Sequence, residues 1–354
     1  MRRAIVITLG CWGLAAAVAS GQPAVIDPGQ GSVSLSSGAT AAAELSGITH
    51  VGGSTYHAVG DNAAATIWTL SLSIDPATGW IGSAAVTGGI AAPGLGTDSE
   101  GIAYRAASGT VFVSDEVAST INEFSLSTGG LVGSVGVPAI YAAANVQSNM
   151  GLESLAFGAG GLWTANEEAL VPDGPLATTT AGSWVRIQRF DESLTTAGQW
   201  GYRTDSITAL NPFISAERSG VVDILPWTET ELLVLERELG GAVVPQFRSR
   251  LYLVDTASGS DVSALPTIDA GGFTPLAKTL LWERSFGLSN FEGMSYGPVL
   301  ADGSRSLLLI SDNGGGLNQD LYALSVVPEP ALGLGGAAAV MATWLIARRR
   351  SRLA

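Results

Sequence analysis

At 354 residues the chain is long enough for one large domain or two medium ones, and it carries 31 acidic residues against 17 basic ones. Two end segments hold six of the arginines and one glutamate; the stretch between them keeps 11 basic and 30 acidic residues, a charge of −19. So acidic a body argues against nucleic acid as a partner. It fits cation binding, or simple solubility of an extracytoplasmic protein. The single cysteine, Cys11, lies in the first end segment, which excludes disulfides and thiolate metal sites from the rest. Glycine is abundant (46) and Lys278 is the only lysine, as expected of many short strands joined by tight turns.

Met1-Arg2-Arg3, an apolar run to Val18 and the small-x-small triplet Ala17-Val18-Ala19 read as a secretory signal peptide over 1–19. At the other end, Val327-Pro328-Glu329-Pro330 precedes an apolar stretch from Ala331 to Ala347 and the cluster Arg348-Arg349-Arg350. A short apolar helix with a basic tail obeys the positive-inside rule. The order of the three parts resembles the PEP-CTERM sorting signal, here 327–354. That resemblance implies a transmembrane helix, an exosortase-type sorting enzyme as partner, membrane attachment until processing, and an exported body in the cell envelope or outside it. A generic single-span anchor is the alternative.

Residues 20–43 are rich in Gly, Ser and Ala and include a candidate strand near Val33 to Leu35. Five similar units follow over 44–326. Each opens with an acid or a glycine before a short apolar strand, turns, and ends a second strand in further acids. The first runs Glu44-Leu45-Ser46-Gly47-Ile48 to Gly60-Asp61-Asn62. The second runs Asp98-Ser99-Glu100-Gly101-Ile102 to Ser114-Asp115-Glu116, and the third Gly151-Leu152-Glu153-Ser154-Leu155 to Asn166-Glu167-Glu168. The fourth runs Ser219-Gly220-Val221-Val222-Asp223 to Leu235-Glu236-Arg237-Glu238, and the fifth Asn290-Phe291-Glu292-Gly293-Met294 to Ser311-Asp312-Asn313. Outer strands fit between the units, at Thr66 to Ile74 and Thr120 to Leu126 for example. Units of about four strands repeating every ~50–70 residues predict an all-β fold, a β-propeller with five blades favoured and six the alternative. The fifth unit is one strand short, and the segment near Val33 is predicted to close the ring. The longest insertions, Val171 to Gly182, Thr204 to Arg218 and Asp255 to Ala277, are expected to be loops that carry specificity.

The first strand of a propeller blade lines the central channel, and antiparallel pairing returns the second strand's end to the same rim. One mouth is therefore predicted to gather the first-strand acids Glu44, Glu100, Glu153 and Glu292, with Asp223 displaced in the fourth unit, and the second-strand ends Asp61, Asp115, Glu116, Glu167, Glu168, Glu236, Glu238 and Asp312. Glu44, Asp61, Glu100, Asp115, Glu153, Glu292 and Asp312 are the candidate metal ligands. Crowded carboxylates must raise their pKa values or admit cations. An oxygen-only ring suits a hard cation such as Ca²⁺, with Asn62, Asn166, Asn290 and Asn313 as neutral oxygens. Glu100, Glu153, Glu292 and Asp312 are the candidate catalytic carboxylates. Arg237 and Arg218 are the candidates for holding an anionic substrate or for pairing with neighbouring carboxylates. The same Glu-Gly pattern also has a purely structural reading, in which glycine serves a tight turn and glutamate caps backbone N–H groups. His50 and His57 read as packing residues, and no Gly-x-Ser-x-Gly elbow supports a serine hydrolase.

Asp98 to Ala103, Gly151 to Ala156, Leu232 to Arg237, and Asn290 to Met294 with Ser311-Asp312-Asn313 resemble the phytase-like (esterase-like activity of phytase) family, over about Glu44 to Val326. The resemblance implies a secreted β-propeller with phosphoester or ester hydrolase activity. The chain departs from the family pattern at Ser154, where glycine is usual, and at Ser219-Gly220, which replaces Glu-Gly. Two functions are expected to compete: a Ca²⁺-dependent phosphoester or ester hydrolase, and a non-catalytic propeller that binds an extracellular polysaccharide or another envelope partner. A third role for the cation is purely structural.

Overall fold

The computed structural model describes residues 22–36, 42–61, 64–213, 218–314 and 318–328. The expected signal segment and sorting signal lie almost wholly outside them, as does Asn62; among the described residues no helix is long and apolar enough to cross a membrane. Two short strands come first, β1 (Ala24–Ile26) and β2 (Val33–Ser34). Then follow β3 (Leu45–Gly52), β4 (Thr55–Gly60), β5 (Thr66–Ile74) and β6 (Ile81–Ala91); β7 (Ser99–Arg105), β8 (Thr110–Asp115), β9 (Thr120–Ser125) and β10 (Leu131–Ser134). The third group is β11 (Leu152–Gly158), β12 (Gly161–Asn166), β13 (Trp184–Phe190) and β14 (Thr196–Arg203), and the fourth β15 (Arg218–Pro226), β16 (Glu231–Gly240), β17 (Gln246–Asp255) and β18 (Ala277–Ser285). Last come β19 (Asn290–Val299), β20 (Arg305–Asp312) and β21 (Asp320–Val327). Groups one to four are each a four-stranded antiparallel meander, and β19, β20 and β21 form a fifth sheet with β1 and β2. The favoured number of blades, five, is the one observed.

The ring closes where the fifth unit lacks a strand. β2 pairs with β21 through Val33 and Ser34, as the sequence predicts, but β1 adds a second piece from nearer the N-terminus, with Ala24 opposite Val327. Asp27 locks this seam: it accepts from Tyr322 Oη at 2.5 Å and from Arg284 at 2.9 Å.

Most strands are buried on both faces, so they read as continuous apolar runs rather than alternating ones. Alternate residues then serve opposite neighbours. In β16, Leu232 and Val234 pack toward blade three while Leu233 and Leu235 pack toward blade five. In β20, Leu307 and Leu309 face blade four while Leu308 and Ile310 face blade one. Each pair of neighbouring blades thus shares its own apolar cluster, and no single central core exists among the described residues.

At the axis the inner strands of blades one, two and five come close enough to exclude side chains. A methyl group on Gly47 would overlap the Glu100 carbonyl, one on Gly101 would meet Leu155, and one on Gly293 would overlap the Ser46 carbonyl. This, and not a turn conformation, is why glycine follows the acid: none of the three has a positive φ. Gly293→Ala is expected to destabilise the fold by about 1–3 kcal/mol, read as a lower urea midpoint, because the clash is with backbone that cannot move aside.

Candidate functional site: an acidic channel mouth

All five inner hairpins share one irregularity. The register skips Ser46 in blade one, Glu100 with Gly101 in blade two, Glu153 in blade three, Val222 in blade four and Glu292 in blade five. A β-bulge breaks the alternation of side chains and re-aims the extra residue. Here it singles out one equivalent position per blade, Ser46, Glu100, Glu153, Val222 and Glu292, of which all but Val222, packed in the apolar cluster between blades four and five, line the mouth. One residue beyond the partner of the residue that precedes each bulge gives a second set: Asp61, Glu116, Glu167, Arg237, Asp312. The mouth is therefore two five-membered rings, and blade four breaks both, with valine in one and arginine in the other.

Between them lies a cavity of about 310 Å³. Ser46, Glu100, Glu153 and Glu292 line it from the first ring and Asp61, Arg237 and Asp312 from the second, with Arg218, Asn149 and Asn290 at its edge. The four candidate catalytic carboxylates are thus brought together, as are both arginines. Glu44 and Asp115 are not among the lining residues. Glu44 sits two positions before the bulge, where its backbone N–H donates to Asn313 at 2.8 Å. Asp115 is paired within the strand and turns away from the axis, where its carboxylate accepts from Ala118 N–H at 2.6 Å and closes the turn after β8. The neighbouring Glu116 takes the second-ring position instead, close to Glu100 and Glu153 but not itself among the lining residues. Asp223 is not displaced toward the mouth. It occupies the slot that glycine fills in blades one, two and five, and its buried carboxylate accepts backbone N–H groups from Ile224 and, across the interface, from Met294 at 2.6 Å. It is a stitch between blades. Ser219-Gly220, read as the replacement for Glu-Gly, lies earlier in the strand, with Gly220 against Glu167.

Period-two alternation sorts the acids of β16 the same way. Glu236 and Glu238 point away from the axis. Glu236 holds Lys278 at 2.6 Å and accepts from Tyr202 Oη; Glu238 holds Arg250 at 2.6 Å and Thr208. Arg237, between them, turns into the cavity and bonds Glu167 and Glu292 at 2.8 Å each. Burial works against its charge, but Glu167, Glu292 and Glu153 hold its pKa above the ordinary value.

The other carboxylates of the mouth have no such partner. Burial, then the charges of Glu292, Glu116, Asp98 and Asp61, push Glu100 well up. Burial and the neighbouring Glu100 and Glu167 do the same to Glu153. Glu116 is pushed up to about 8, chiefly by burial. Asp61 rises to about 7 by burial and by Asp312, Glu44 and Asp98. Even Glu292 reaches about 7, burial outweighing the attraction of Arg237. Several polar atoms here are buried without a hydrogen-bond partner among the described residues: Asp61 Oδ1, Glu116 Oε2, Asn290 Oδ1 and Arg237 Nε. Sequence reasoning put Glu116 and Glu167 near this mouth without naming them as ligands or catalytic groups, and the shared register of the hairpins singles them out; Asp98, given no role by the sequence, is found through its closeness to Asp61 and Glu100.

The donor set is oxygen only. Single carboxylate oxygens of Glu100, Glu116 and Glu153 lie within 4.8 Å of one another, as do those of Asp61, Asp98 and Glu100. Oxygens around one Ca²⁺ stand about 2.3–2.6 Å from it and so up to ~5 Å apart. The residues present fit a hard divalent cation.

Fold and site define a five-bladed β-propeller with a carboxylate-lined channel mouth. The chain belongs to the phytase-like family described as "Esterase-like activity of phytase", whose model matches residues 40–315. No curated protein matches the chain in sequence at a significant level. Among solved structures it is similar to the PQQ-bound aldose sugar dehydrogenase from Streptomyces coelicolor, at 14% identity and a TM-score of 0.40, covering 86% of this chain and 98% of that one. It is also similar to a luciferin-regenerating enzyme, at 12% identity and a TM-score of 0.35, covering 89% and 96%. A third is the Kuenenia stuttgartiensis hydrazine synthase, at 11% identity and a TM-score of 0.37; 81% of this chain matches it, spanning 64% of its length.

Proposed function

We propose that the protein is an exported, envelope-associated hydrolase of phosphoesters or esters, dependent on Ca²⁺ held at the acidic mouth. The observation that carries this reading is the pair of carboxylate oxygens buried without a partner among the described residues, that of Asp61 lining a cavity large enough for a phosphoryl or acyl group and that of Glu116 beside Glu100 and Glu153. The family description supports the reaction class, and the basic-apolar start and Pro328-Glu329-Pro330 tail support export and sorting.

Ca²⁺ bound there would supply Lewis acidity toward the substrate oxygen and favour the ionised carboxylates. The chain's own residues do the rest. Glu100 and Glu153, fixed by bulges, orient a water on the cavity axis. Glu292 is tied to Arg237 and to Asn290, which donates to it at 2.8 Å, so it positions the guanidinium more than it acts as a base. Arg218 is the better anchor for an anionic group. It is partly exposed, donates to Asn149 O at 3.0 Å and reaches Glu167 only at 3.5 Å, whereas both bonds of Arg237 are committed within the protein.

Purified protein incubated with aryl phosphates, phytate and aryl esters is expected to turn over at least one of them with Ca²⁺ and not with chelator, and Glu100→Gln is expected to abolish that turnover. No turnover on any of the three, with ligand binding retained, would favour the non-catalytic propeller.

A further inference from the structure

We propose that the mouth binds two divalent cations and that Glu100 is the carboxylate they share. The inference rests on the cation-binding reading above and goes beyond it in number, position and ligand assignment.

The carboxylates of the mouth divide by compensation. Around blade four, Glu167 of blade three and Glu292 of blade five are neutralised by Arg237, while Asp312 of blade five lines the cavity without an ion pair among the described residues. On the side of blades one to three stand Asp61, Asp98, Glu100, Glu116 and Glu153, and no arginine or lysine forms an ion pair with any of them among the described residues. These five form two sets of mutually close oxygens, Asp61 with Asp98 and Glu100, and Glu100 with Glu116 and Glu153. Glu100 is the member common to both.

Each set also contains its own orphan. Asp61 Oδ1 is buried without a partner in the first. In the second it is Glu116 Oε2, on a residue only 2% exposed whose other oxygen accepts from Gly151 N–H at 2.6 Å. A buried anionic oxygen without a partner is costly, and one shared ion cannot answer for two orphans in separate sets. The scaffold explains the arrangement. The blade-two bulge carries Glu100 to the axis between the second-strand end of blade one, which brings Asp61, and the bulge of blade three, which brings Glu153. Asp98 and Glu116 flank Glu100 on its own blade, one on each side of the inner hairpin. Carboxylate-only sites of this kind select Ca²⁺ or a similarly hard ion and leave room for water in each coordination shell.

Equilibrium dialysis of the full chain against labelled Ca²⁺ tests this without reference to turnover. Asp98→Asn is expected to lose one bound ion, Glu116→Gln one ion, and the double variant two; Glu100→Gln is expected to weaken both. Far-UV circular dichroism on each variant confirms that the β-structure persists, and the two single variants keep the test open if Glu100→Gln does not fold. An Asp98→Asn or Glu116→Gln variant that loses both ions, or neither, overturns the proposal. A wild-type chain that binds one ion overturns only the second site, while one that binds none overturns the cation reading beneath it as well.

Discussion

Arg237→Met is expected to lower stability by about 3–5 kcal/mol at pH 8, the cost of removing one partner from a buried ionic group. Arg237 is 6% exposed and bonds two carboxylates from blades three and five, so the variant strands two anions. Methionine keeps much of the volume, and lost packing contributes little. Glu292 stands at about 7 even with Arg237 beside it, so in the variant its carboxylate takes up a proton as the pH falls, and the cost should shrink at pH 5.5. Urea unfolding of wild type and variant at both pH values measures the difference. A cost under about 1 kcal/mol at pH 8, or one that does not change with pH, would show that the pair does not carry the interface.

The second large effect concerns the metal-free protein. Asp61, Glu116 and Glu292 have folded pKa values of about 7, 8 and 7, all above those of the free side chains. A carboxyl group with a raised folded pKa binds its proton more tightly in the native state. Between the unfolded and folded values the native state therefore holds more protons, and stability falls as pH rises. In chelator, the contribution of these groups should be full only below their unfolded values of 3.8 and 4.5 and be lost progressively up to pH 7 to 8. A single proton taken up sets a floor of ~1.4 kcal/mol per pH unit within that window. Added Ca²⁺ binds the ionised form and should flatten the slope. Melting curves from pH 5 to 8, with and without chelator, read both effects; a chelated protein that gains stability toward pH 8 would contradict the electrostatics of the mouth.

The blade count and the acidic character of the mouth were legible because they repeat. Five acid- or glycine-led strands, each answered by a second strand ending in polar residues, leave few topologies open. What the sequence concealed was register. Side chains alternate, so an error of one residue moves a group from the axis to the blade interior. Asp115 and Glu116 are adjacent and both acidic, and only the pairing of Ser99 with Asp115 shows which one enters the mouth. Glu44 misleads by two positions, because the bulge in blade one falls on Ser46. Asp223 misleads differently: its acid lies in the right strand but fills the slot of a glycine, where a carboxylate can reach backbone N–H groups of the next blade. Arg237 was open to two readings, and the geometry takes the one in which it pairs within the protein.

The seam in blade five sets the order in which the molecule can be finished. β21 is paired on one side by β20 and on the other by β1 and β2. Asp27 and Tyr322, which fasten it, are 295 positions apart along the chain. Contacts of such separation form late, because the loop-closure entropy precedes any gain from them. During synthesis the segment from Ala24 to Ser34, which carries β1 and β2, must wait until the last blade exists. Until then the growing arc carries an unpaired sheet edge of the kind that invites association between chains. The joint that completes the ring is thus also the step at which the chain ceases to be vulnerable.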